Sequence, residues 1–357
     1  MIIIPVYNAE KYLERAVTSV LKQSIGFENL ELIIVDDNSS DDTRKIIETY
    51  SKKYDNIVPI YRNENSGGAG IPRNIGMKKV TSEFIMFLDG DDTYKSDVCE
   101  TVYGAIKSED IDFIWYKYQT VYNDDYIEDK IFKDNPFLDN LKTNDGIFRY
   151  TPKKLNKNNK KFLEIMQNGA YVWDKIFKKE FLVKNNIEFG EYAIEDSYFM
   201  ASVFIKSVHW NLLNNYIGYN YIIRRDNFTM TSSKKNIESL LKGTNFLYDY
   251  LKKESPDLIN LALCNLPWIV KLNLNCKMKP YEQKEILQKY KKLFKGYKLN
   301  TRNSTMSLRL NIAYNILTKL VSSNYIIAIV LSRIYIGIED KLSKIRTNNI
   351  VRKIFFK

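Results

Sequence analysis

Residues 84–92 read Phe-Ile-Met-Phe-Leu-Asp-Gly-Asp-Asp, an apolar run that ends in three carboxylates. Similar apolar runs occupy residues 2–6, 30–36 and 57–61, and segments with helical periodicity separate them. Runs that are apolar on both faces are typical of parallel strands buried in the centre of a sheet. This alternation predicts an α/β fold with a mixed, mainly parallel sheet.

Two of the predicted strands end in acidic clusters, Asp36-Asp37 and Asp89-Gly-Asp91-Asp92. In open α/β sheets ligands bind at the carboxyl ends of the strands, so we expect both clusters to lie in one crevice. Asp89 and Asp91 offer two hard oxygen ligands, which suit Mg²⁺ or Mn²⁺ bridging to phosphate. An isolated DxD pattern would equally fit a surface turn, so it needs support from other motifs.

The histidine and cysteine content excludes several kinds of catalytic site. The 357 residues include one histidine and three cysteines, and the cysteines form no CxxC pair. Histidine triads, cysteine zinc sites and a disulfide framework are therefore not expected. The composition, 45% hydrophobic and 27% charged, is typical of a globular protein, and the length predicts two or three domains. The cysteine usage favours the cytosolic side. Catalysis is expected to rest on carboxylates.

Charge divides the chain into two chemically different parts. Residues 234–357 carry 24 Lys and Arg against 8 Asp and Glu, a net charge of +16, whereas residues 1–233 carry 30 against 35. The basic part also contains the apolar run 325–331 and helical stripes. This pattern favours docking on an anionic membrane surface. A phosphate-bearing polymer, self-association and a solvated basic surface are the alternatives, and nucleic acid is less favoured.

We expect a first domain at residues 1–233 and a basic helical region at residues 234–357. Within the first, residues from about 123 to 160 are polar and without clear periodicity, which predicts a mobile insertion. The start of the chain lacks the basic segment and long apolar core of a signal peptide. The longest uncharged stretch of the basic region, 320–332, is shorter than the roughly 20 residues that cross a bilayer.

Several short motifs accompany the DxD pattern in a fixed order. They are Ile-Pro-Val-Tyr-Asn at 4–8, Val-Asp-Asp-Asn-Ser at 35–39, Asn-Ser-Gly-Gly at 65–68 with Arg-Asn-Ile-Gly at 73–76, and Phe-Leu-Asp-Gly-Asp-Asp at 87–92. The ordered set resembles glycosyltransferase family 2 over about residues 2–232. The resemblance implies a GT-A fold, a nucleotide-sugar donor beside Gly90, a Mn²⁺ or Mg²⁺ ion on Asp89 and Asp91, and inversion at the anomeric carbon.

The resemblance assigns the donor site to the ends of the first strands. Pro5, Tyr7 and Asn8 would line the nucleoside pocket, and Asp36 would accept a hydrogen bond from the N3–H of uracil, a donor that cytosine lacks. Arg73 would contact the base or the diphosphate through its planar guanidinium. Alternatively, Asp36 belongs to a strand-end turn and Arg73 to a surface salt bridge.

Three later segments also resemble parts of the family. Asp196, in the pair Glu195-Asp196, resembles the general base that takes the proton of the acceptor hydroxyl, although an aspartate capping a helix is the alternative. Trp173 resembles an element beneath the acceptor site, either stacking on a sugar or buried against the sheet. Arg224 and Arg225 resemble the basic segment that approaches the diphosphate, with one of the two facing the ligand.

These expectations together predict an inverting, metal-dependent hexosyl- or N-acetylhexosaminyltransferase. It would move a sugar from a UDP-sugar to a hydroxyl of a cell-surface glycan, polysaccharide, teichoic-acid-like or lipid-linked acceptor. We expect it in the cytoplasm, peripheral on the inner face of the cell membrane. One rival is a nucleotidyltransferase of similar build, which would release pyrophosphate. The other is a non-catalytic scaffold that binds nucleotide-sugars, for which a base at Asp196 would have no use. The sugar, the linkage and the oligomeric state depend on shape that motifs do not encode.

Overall fold

The computed structural model divides the chain into two compact units. The first comprises Met1–Met230 with Lys253–Pro256, and the second Thr231–Lys252 with Asp257–Lys357. The structure describes residues 1–107, 110–124, 127–133, 141, 143–151, 160–223 and 233–263, and positions 276, 278, 279, 281, 282, 285, 286, 288 and 289. The boundary expected between residues 233 and 234 stays a prediction.

Ten strands among the described residues of the first unit form one sheet in the order β3-β2-β1-β4-β9-β6-β10-β5, with β7 beside β6 and β8 beside β10. They are β1 (Ile2–Val6), β2 (Leu32–Asp36), β3 (Ile57–Tyr61), β4 (Phe84–Phe87), β5 (Thr93–Tyr94), β6 (Phe113–Asp124), β7 (Ile127–Lys133), β8 (Ile147–Tyr150), β9 (Lys175–Lys178) and β10 (Trp210–Ile223).

The four strands predicted from the apolar runs are present and pair in parallel. β1 lies between β2 and β4, and every residue of β1 and β2 is buried. Burying one such aliphatic side chain contributes about 1.5–3 kcal/mol, so these runs fix the centre of the sheet. Val6 pairs with Asp36 and Ile3 with Phe87, which brings the ends of β1, β2 and β4 to one edge.

The α/β class and the mixed sheet are confirmed, but parallel pairing does not dominate it. Among the described strands, five pairings are antiparallel and four parallel. The difference arises because β9 inserts antiparallel between β4 and β6, and short strands add to β6 and β10. Apolar patterning reveals a buried strand but not its direction.

Two expectations about the later part of this unit need correction. The polar segment from 123 to 160 contains the end of β6 and two strands, β7 and β8, which pair antiparallel with β6 and β10. β7 and β8 each pair with one neighbour, and edge strands tolerate charged residues that blur periodicity. Two β-like runs in the sequence from Val208 to Ile223 predict two strands, but they form a single strand, β10, with register shifts between Leu213 and Tyr219.

Helices cover the sheet and follow it in the second unit. They are α1 (Leu13–Leu21), α2 (Thr43–Lys53), α3 (Gly70–Lys79), α4 (Val98–Ile106), α5 (Lys160–Asn168), α6 (Lys179–Lys184), α7 (Glu195–Lys206), α8 (Lys234–Glu254) and α9 (Asn260–Leu263), with 3-10 turns at Phe27–Asn29 and Pro256–Leu258. α1 buries its predicted apolar stripe. Ser39 and Ser40 precede α2, and serines at such a position predict N-caps, but neither caps the helix. Asp41 Oδ1 accepts the Thr43 N–H instead.

The second unit begins with the helical pattern expected from residue 237 onward. α8 buries an apolar stripe that includes Ile237, Leu240, Leu247 and Leu251. A further helical stripe of apolar residues in the basic region, and the apolar run 325–331, lie outside the described residues. Within the part of the chain that the structure describes, no helix combines the length and apolarity needed to span a membrane.

Candidate active site

The loop that follows β1 is tied to the loop that follows β2. Asn8 adopts a positive φ of 49°, its N–H donates to Ser39 Oγ at 2.9 Å, and its Oδ1 accepts the Ser40 N–H at 2.8 Å. Asparagine tolerates this left-handed conformation better than most residues. Tyr7 stands beside it with 52% of its surface exposed, while Pro5 lies within β1. Tyr7 and Asn8 are therefore exposed at the end of β1, at what we call the nucleoside edge, whereas Pro5 is buried within the strand.

Asp36 is sealed inside the protein. Its side chain is 0% exposed, and its carboxylate accepts hydrogen bonds from the Ser39 N–H and from Arg44 Nε at 2.7 Å. This geometry does not favour the expected direct contact with uracil. Because Ser39 in turn binds the backbone of Asn8, Asp36 supports the nucleoside edge from behind. The strand-end turn is the reading that fits the structure.

The neighbouring Asp37 organises a different loop. Its carboxylate pairs with the guanidinium of Arg62 and accepts both the N–H and the hydroxyl of Ser66, at 2.9 and 2.8 Å. Its carbonyl accepts the amide of Asn65 at 3.1 Å. The Asn-Ser-Gly-Gly motif therefore packs directly on the end of β2, with Gly67 at a φ of 80°.

Arg73, in the first turns of α3, joins the two acidic parts of the site. Its Nη2 donates to Asp89 Oδ1 at 2.7 Å, and its Nη1 donates to Asp196 Oδ1 at 2.5 Å and Glu195 Oε1 at 3.1 Å. The guanidinium is 3% exposed and lies over the ring of Phe189. The three carboxylates raise the pKa of Arg73, against the opposing effect of burial. Arg73 is therefore a buried bridge between carboxylates, and the surface salt bridge considered for it is wrong.

Close packing of α3 against the loop before α7 brings these groups together. A Cβ at Gly70 would lie 2.2 Å from the carbonyl oxygen of Gly190 and 3.2 Å from the Cβ of Glu195, so a larger residue would push the two segments apart. Ile194, the residue before α7, adopts a left-handed φ of 65°, which is unfavourable for a β-branched residue. The backbone is therefore strained where it delivers Glu195 and Asp196 to Arg73.

The electrostatics of Asp196 suit a group that must exchange a proton. Burial raises its pKa to about 8, the charges of Glu195 and Asp89 add to that rise, and Arg73 opposes it. Burial also raises the pKa of Glu195. A base functions best when its pKa lies near the working pH. Asp196 lies in the first turn of α7, but no side-chain bond caps that helix.

The DGD loop has an outer and an inner part. Asp89, with its side chain 28% exposed, and Asp91, half-buried, border the crevice. Asp92 is buried, accepting the Tyr219 hydroxyl at 2.8 Å and the Ile222 N–H at 2.7 Å. Burial and its two acidic neighbours raise the pKa of Asp92 well above its usual value. Asp92 therefore anchors the loop to β10.

The loop offers two carboxylates, fewer than a complete coordination shell, to the metal expected there. No group of three or more His, Cys, Asp or Glu within the described ranges could hold a metal ion. Mg²⁺ is commonly bound through one or two carboxylates, with phosphate oxygens and water completing the shell. Asp89 and Asp91 fit that pattern, and Gly90 keeps the loop close to β1, since a Cβ there would lie 2.9 Å from Val6 Cγ1.

Trp173 is a buried aromatic, so of its two readings the sugar-stacking one is wrong. The residue is 3% exposed, and its ring stacks on Tyr219 at 4.2 Å and on Tyr171 at 4.7 Å between centroids. The next two residues form a buried ion pair, in which Lys175 Nζ donates to Asp174 and to the carbonyl of Tyr171. Burial lowers the pKa of Lys175 and raises that of Asp174.

Three residues of this region were missed by sequence reasoning. Lys175 lies two residues after Trp173, in the same family-like element, and could have been suspected from it. Tyr171 and Tyr219 belong to no motif. Arg224 and Arg225, expected near the diphosphate, lie outside the described residues.

Comparisons with known proteins show what this chain is similar to in sequence and fold. Residues 1–170 match the sequence model of Glycosyl transferase family 2. Just under half of the chain is therefore similar to the family 2 glycosyltransferases. The solved structure of residues 1–349 of S. aureus TarS in complex with UDP-GlcNAc matches with a TM-score of 0.65 at 21% identity, covering 92% of this chain and 88% of that one. This likeness confirms the GT-A fold.

The names of two similar proteins refer to poly(ribitol-phosphate). The poly(ribitol-phosphate) beta-glucosyltransferase of Bacillus spizizenii is 32% identical over 228 residues, 63% of this chain and 32% of that protein. The poly(ribitol-phosphate) beta-N-acetylglucosaminyltransferase TarP of Staphylococcus aureus is 30% identical over 227 residues, 61% of each chain. The chain thus spans about a third of the Bacillus relative and under two thirds of TarP.

Proposed function

We propose that the chain is an inverting glycosyltransferase that moves a glucosyl or N-acetylglucosaminyl group from a UDP-sugar to a hydroxyl of a polyol-phosphate polymer of the teichoic acid type. The observation that carries the proposal is the Arg73 bridge. It gathers Asp89, on the expected donor side, and the Glu195-Asp196 pair, on the expected base side, from segments more than a hundred residues apart.

The donor would lie along the edge formed by the ends of β1, β2 and β4. Tyr7 and Asn8 line the nucleoside pocket in this proposal, and Asp36 acts indirectly by holding Ser39 against Asn8. Asp89 and Asp91 would hold Mg²⁺ or Mn²⁺ with the diphosphate. When bound, the metal supplies positive charge that stabilises the leaving nucleotide diphosphate.

Asp196 would take the proton of the acceptor hydroxyl as the oxygen attacks the anomeric carbon. Inversion in one displacement requires the base on the face opposite the leaving group. Arg73 contacts both the base and Asp89, so it can fix their separation, which rate acceleration by positioning demands. Phe189 and the aromatic side chains behind Arg73 limit the access of water to this bridge.

The acceptor class rests on the relatives, several of which are named for poly(ribitol-phosphate) or teichoic acid. The basic composition of residues 234–357 supports it, because a polyol phosphate carries one negative charge per unit and would be attracted to +16. The same charge supports a peripheral position at the inner membrane surface, next to a lipid-linked acceptor.

Release of UDP tests the proposal and separates it from its rivals. Purified protein is mixed with UDP-glucose or UDP-N-acetylglucosamine, divalent metal and poly(ribitol phosphate), and free UDP and polymer-bound sugar are measured together. Stoichiometric formation of both supports the proposal. Release of pyrophosphate would identify a nucleotidyltransferase, and donor binding without turnover would identify a scaffold.

A further inference from the structure

We propose that Tyr171 is an acceptor-positioning residue, whose exposed ring receives the C–H face of the carbohydrate unit that carries the attacking hydroxyl. The inference deepens the proposed glycosyl transfer and rests on it. Tyr171 is 43% exposed, whereas Trp173, two residues later, is 3% exposed. The exposed aromatic surface of this segment is therefore on Tyr171.

The ring of Tyr171 is held in place on its inner side. It stacks on Trp173 at 4.7 Å with 19° between the planes, and the ring of Tyr118 meets it edge-on at 5.9 Å. Its carbonyl accepts a hydrogen bond of 2.6 Å from the buried ammonium of Lys175, which Asp174 holds in turn. A ring fixed before binding costs little conformational entropy when a ligand covers it.

The same stack leads to the DGD loop. The ring of Trp173 also stacks on Tyr219, whose ring lies 4.2 Å away at 18°. The hydroxyl of Tyr219 donates to Asp92 and accepts the N–H of Asp89 at 3.3 Å. The ring of Trp173 therefore contacts both Tyr171 and Tyr219, and the hydroxyl of Tyr219 binds the backbone of Asp89.

A second route connects Tyr171 with the proposed base. Lys175, which binds the carbonyl of Tyr171, lies close enough to Asp196 for its charge to oppose the rise in the pKa of Asp196. Tyr171 is thus joined through Trp173 and Tyr219 to the donor side, and through Lys175 to the base side. A ligand on the exposed part of Tyr171 would therefore contact a side chain that is joined to both sides of the site.

The charge distribution and apolar area of the tyrosine ring indicate which chemical groups can bind to it. The face of a tyrosine carries negative charge density, and it attracts the weakly positive C–H groups of a sugar or polyol while contributing apolar area. Neither contact depends on the phenolic hydroxyl, so phenylalanine should serve almost as well. A phosphate group, by contrast, would be repelled by this face.

The test compares Tyr171→Ala, Tyr171→Phe and the control Tyr103→Ala in the full chain. Tyr103 lies on α4, is 40% exposed and packs edge-on against Phe84. Its exposure is therefore similar to that of Tyr171, but it lies on a different element of the fold. The KM for poly(ribitol phosphate) and the KM for the UDP-sugar are measured for each protein. We expect the alanine variant at 171 to raise the acceptor KM about tenfold, as for the loss of one aromatic contact, and the donor KM by less than about twofold. The phenylalanine variant and the control should stay near the wild type.

An acceptor KM of Tyr171→Ala within twofold of the wild type would overturn the inference while leaving glycosyl transfer intact. An equal rise in the donor KM would also overturn it, because the ring would then be a structural support of the whole site. If the wild type releases no UDP with any acceptor, the proposed function itself fails. Circular dichroism melts of each variant check that the proteins are folded.

Discussion

Replacing Asp196 by asparagine tests the proposed chemistry most directly. The change keeps the shape of the side chain but removes its ability to take a proton. General-base catalysis contributes typically about 10²–10⁴ in rate, so kcat should fall by that factor while UDP still binds. Glu195→Gln is the matched variant, since Glu195 also contacts Arg73 through a longer bond and should lose less than about tenfold.

The pKa of Asp196 gives the prediction a second, independent part. With a pKa of about 8, the carboxylate is ionised in about one molecule in ten at pH 7. The wild-type kcat/KM should therefore rise about tenfold per pH unit below that pKa and level off above it. The residual activity of Asp196→Asn should lack this rise.

Stability measurements separate catalysis from folding in the same variant. Because the folded state raises the pKa of Asp196, it binds this proton more tightly than the unfolded state does between about pH 4 and pH 8. This carboxyl therefore favours folding at low pH, and its contribution falls as the pH rises. Asparagine removes that pH-dependent penalty, so urea unfolding at pH 8 should show a variant no less stable than the wild type. Near-normal transfer by a folded Asp196→Asn would place the base elsewhere.

Four further results are expected. EDTA should abolish transfer and Mn²⁺ or Mg²⁺ should restore it, with Asp89→Asn and Asp91→Asn insensitive to added metal; full turnover in chelator would remove the metal from the proposal. UDP should raise the melting temperature more than CDP or GDP, and equal shifts would exclude selection of uracil by the nucleoside edge. Lys175→Met should lower the free energy of unfolding by about 3–5 kcal/mol because it leaves a buried carboxylate unpaired, and adding Asp174→Asn should recover part of it; additive losses would show that the pair is uncoupled. The full chain should float with anionic but not neutral vesicles at low salt, and a chain truncated after Thr301 should not; flotation that ignores vesicle charge would refute membrane docking through the basic tail.

The centre of the sheet could be predicted because burial on both faces leaves a strong local signal. β1 and β3 have the bounds of their apolar runs, and β2 and β4 lie within theirs. The strands β7 and β8 were missed because charged residues interrupt their apolar pattern, which an edge strand tolerates. β8 pairs with β10, which lies much later in the chain, and a local pattern does not contain such a partner.

The candidate site was predictable as a set of residue types but not as a set of contacts. The motifs identified Arg73, Asp89 and Asp196 separately, yet no spacing indicates that one guanidinium binds both carboxylates. Exposure was equally hidden: Trp173 belongs to the motif and is buried, whereas Tyr171 lies outside it and faces solvent. Which of two nearby aromatics is covered depends on neighbours such as Tyr219, far along the chain.

The attachment of Asp92 to β10 limits how this protein can be redesigned. Tyr219 and Ile222 satisfy the buried carboxyl from 127 and 130 positions away. A graft of the DGD loop into another scaffold would bury a carboxyl without donors unless a matching strand came with it. Likewise, replacing Tyr219 alone would loosen the backbone of Asp89, so the two segments form a single cassette that must be exchanged as a whole.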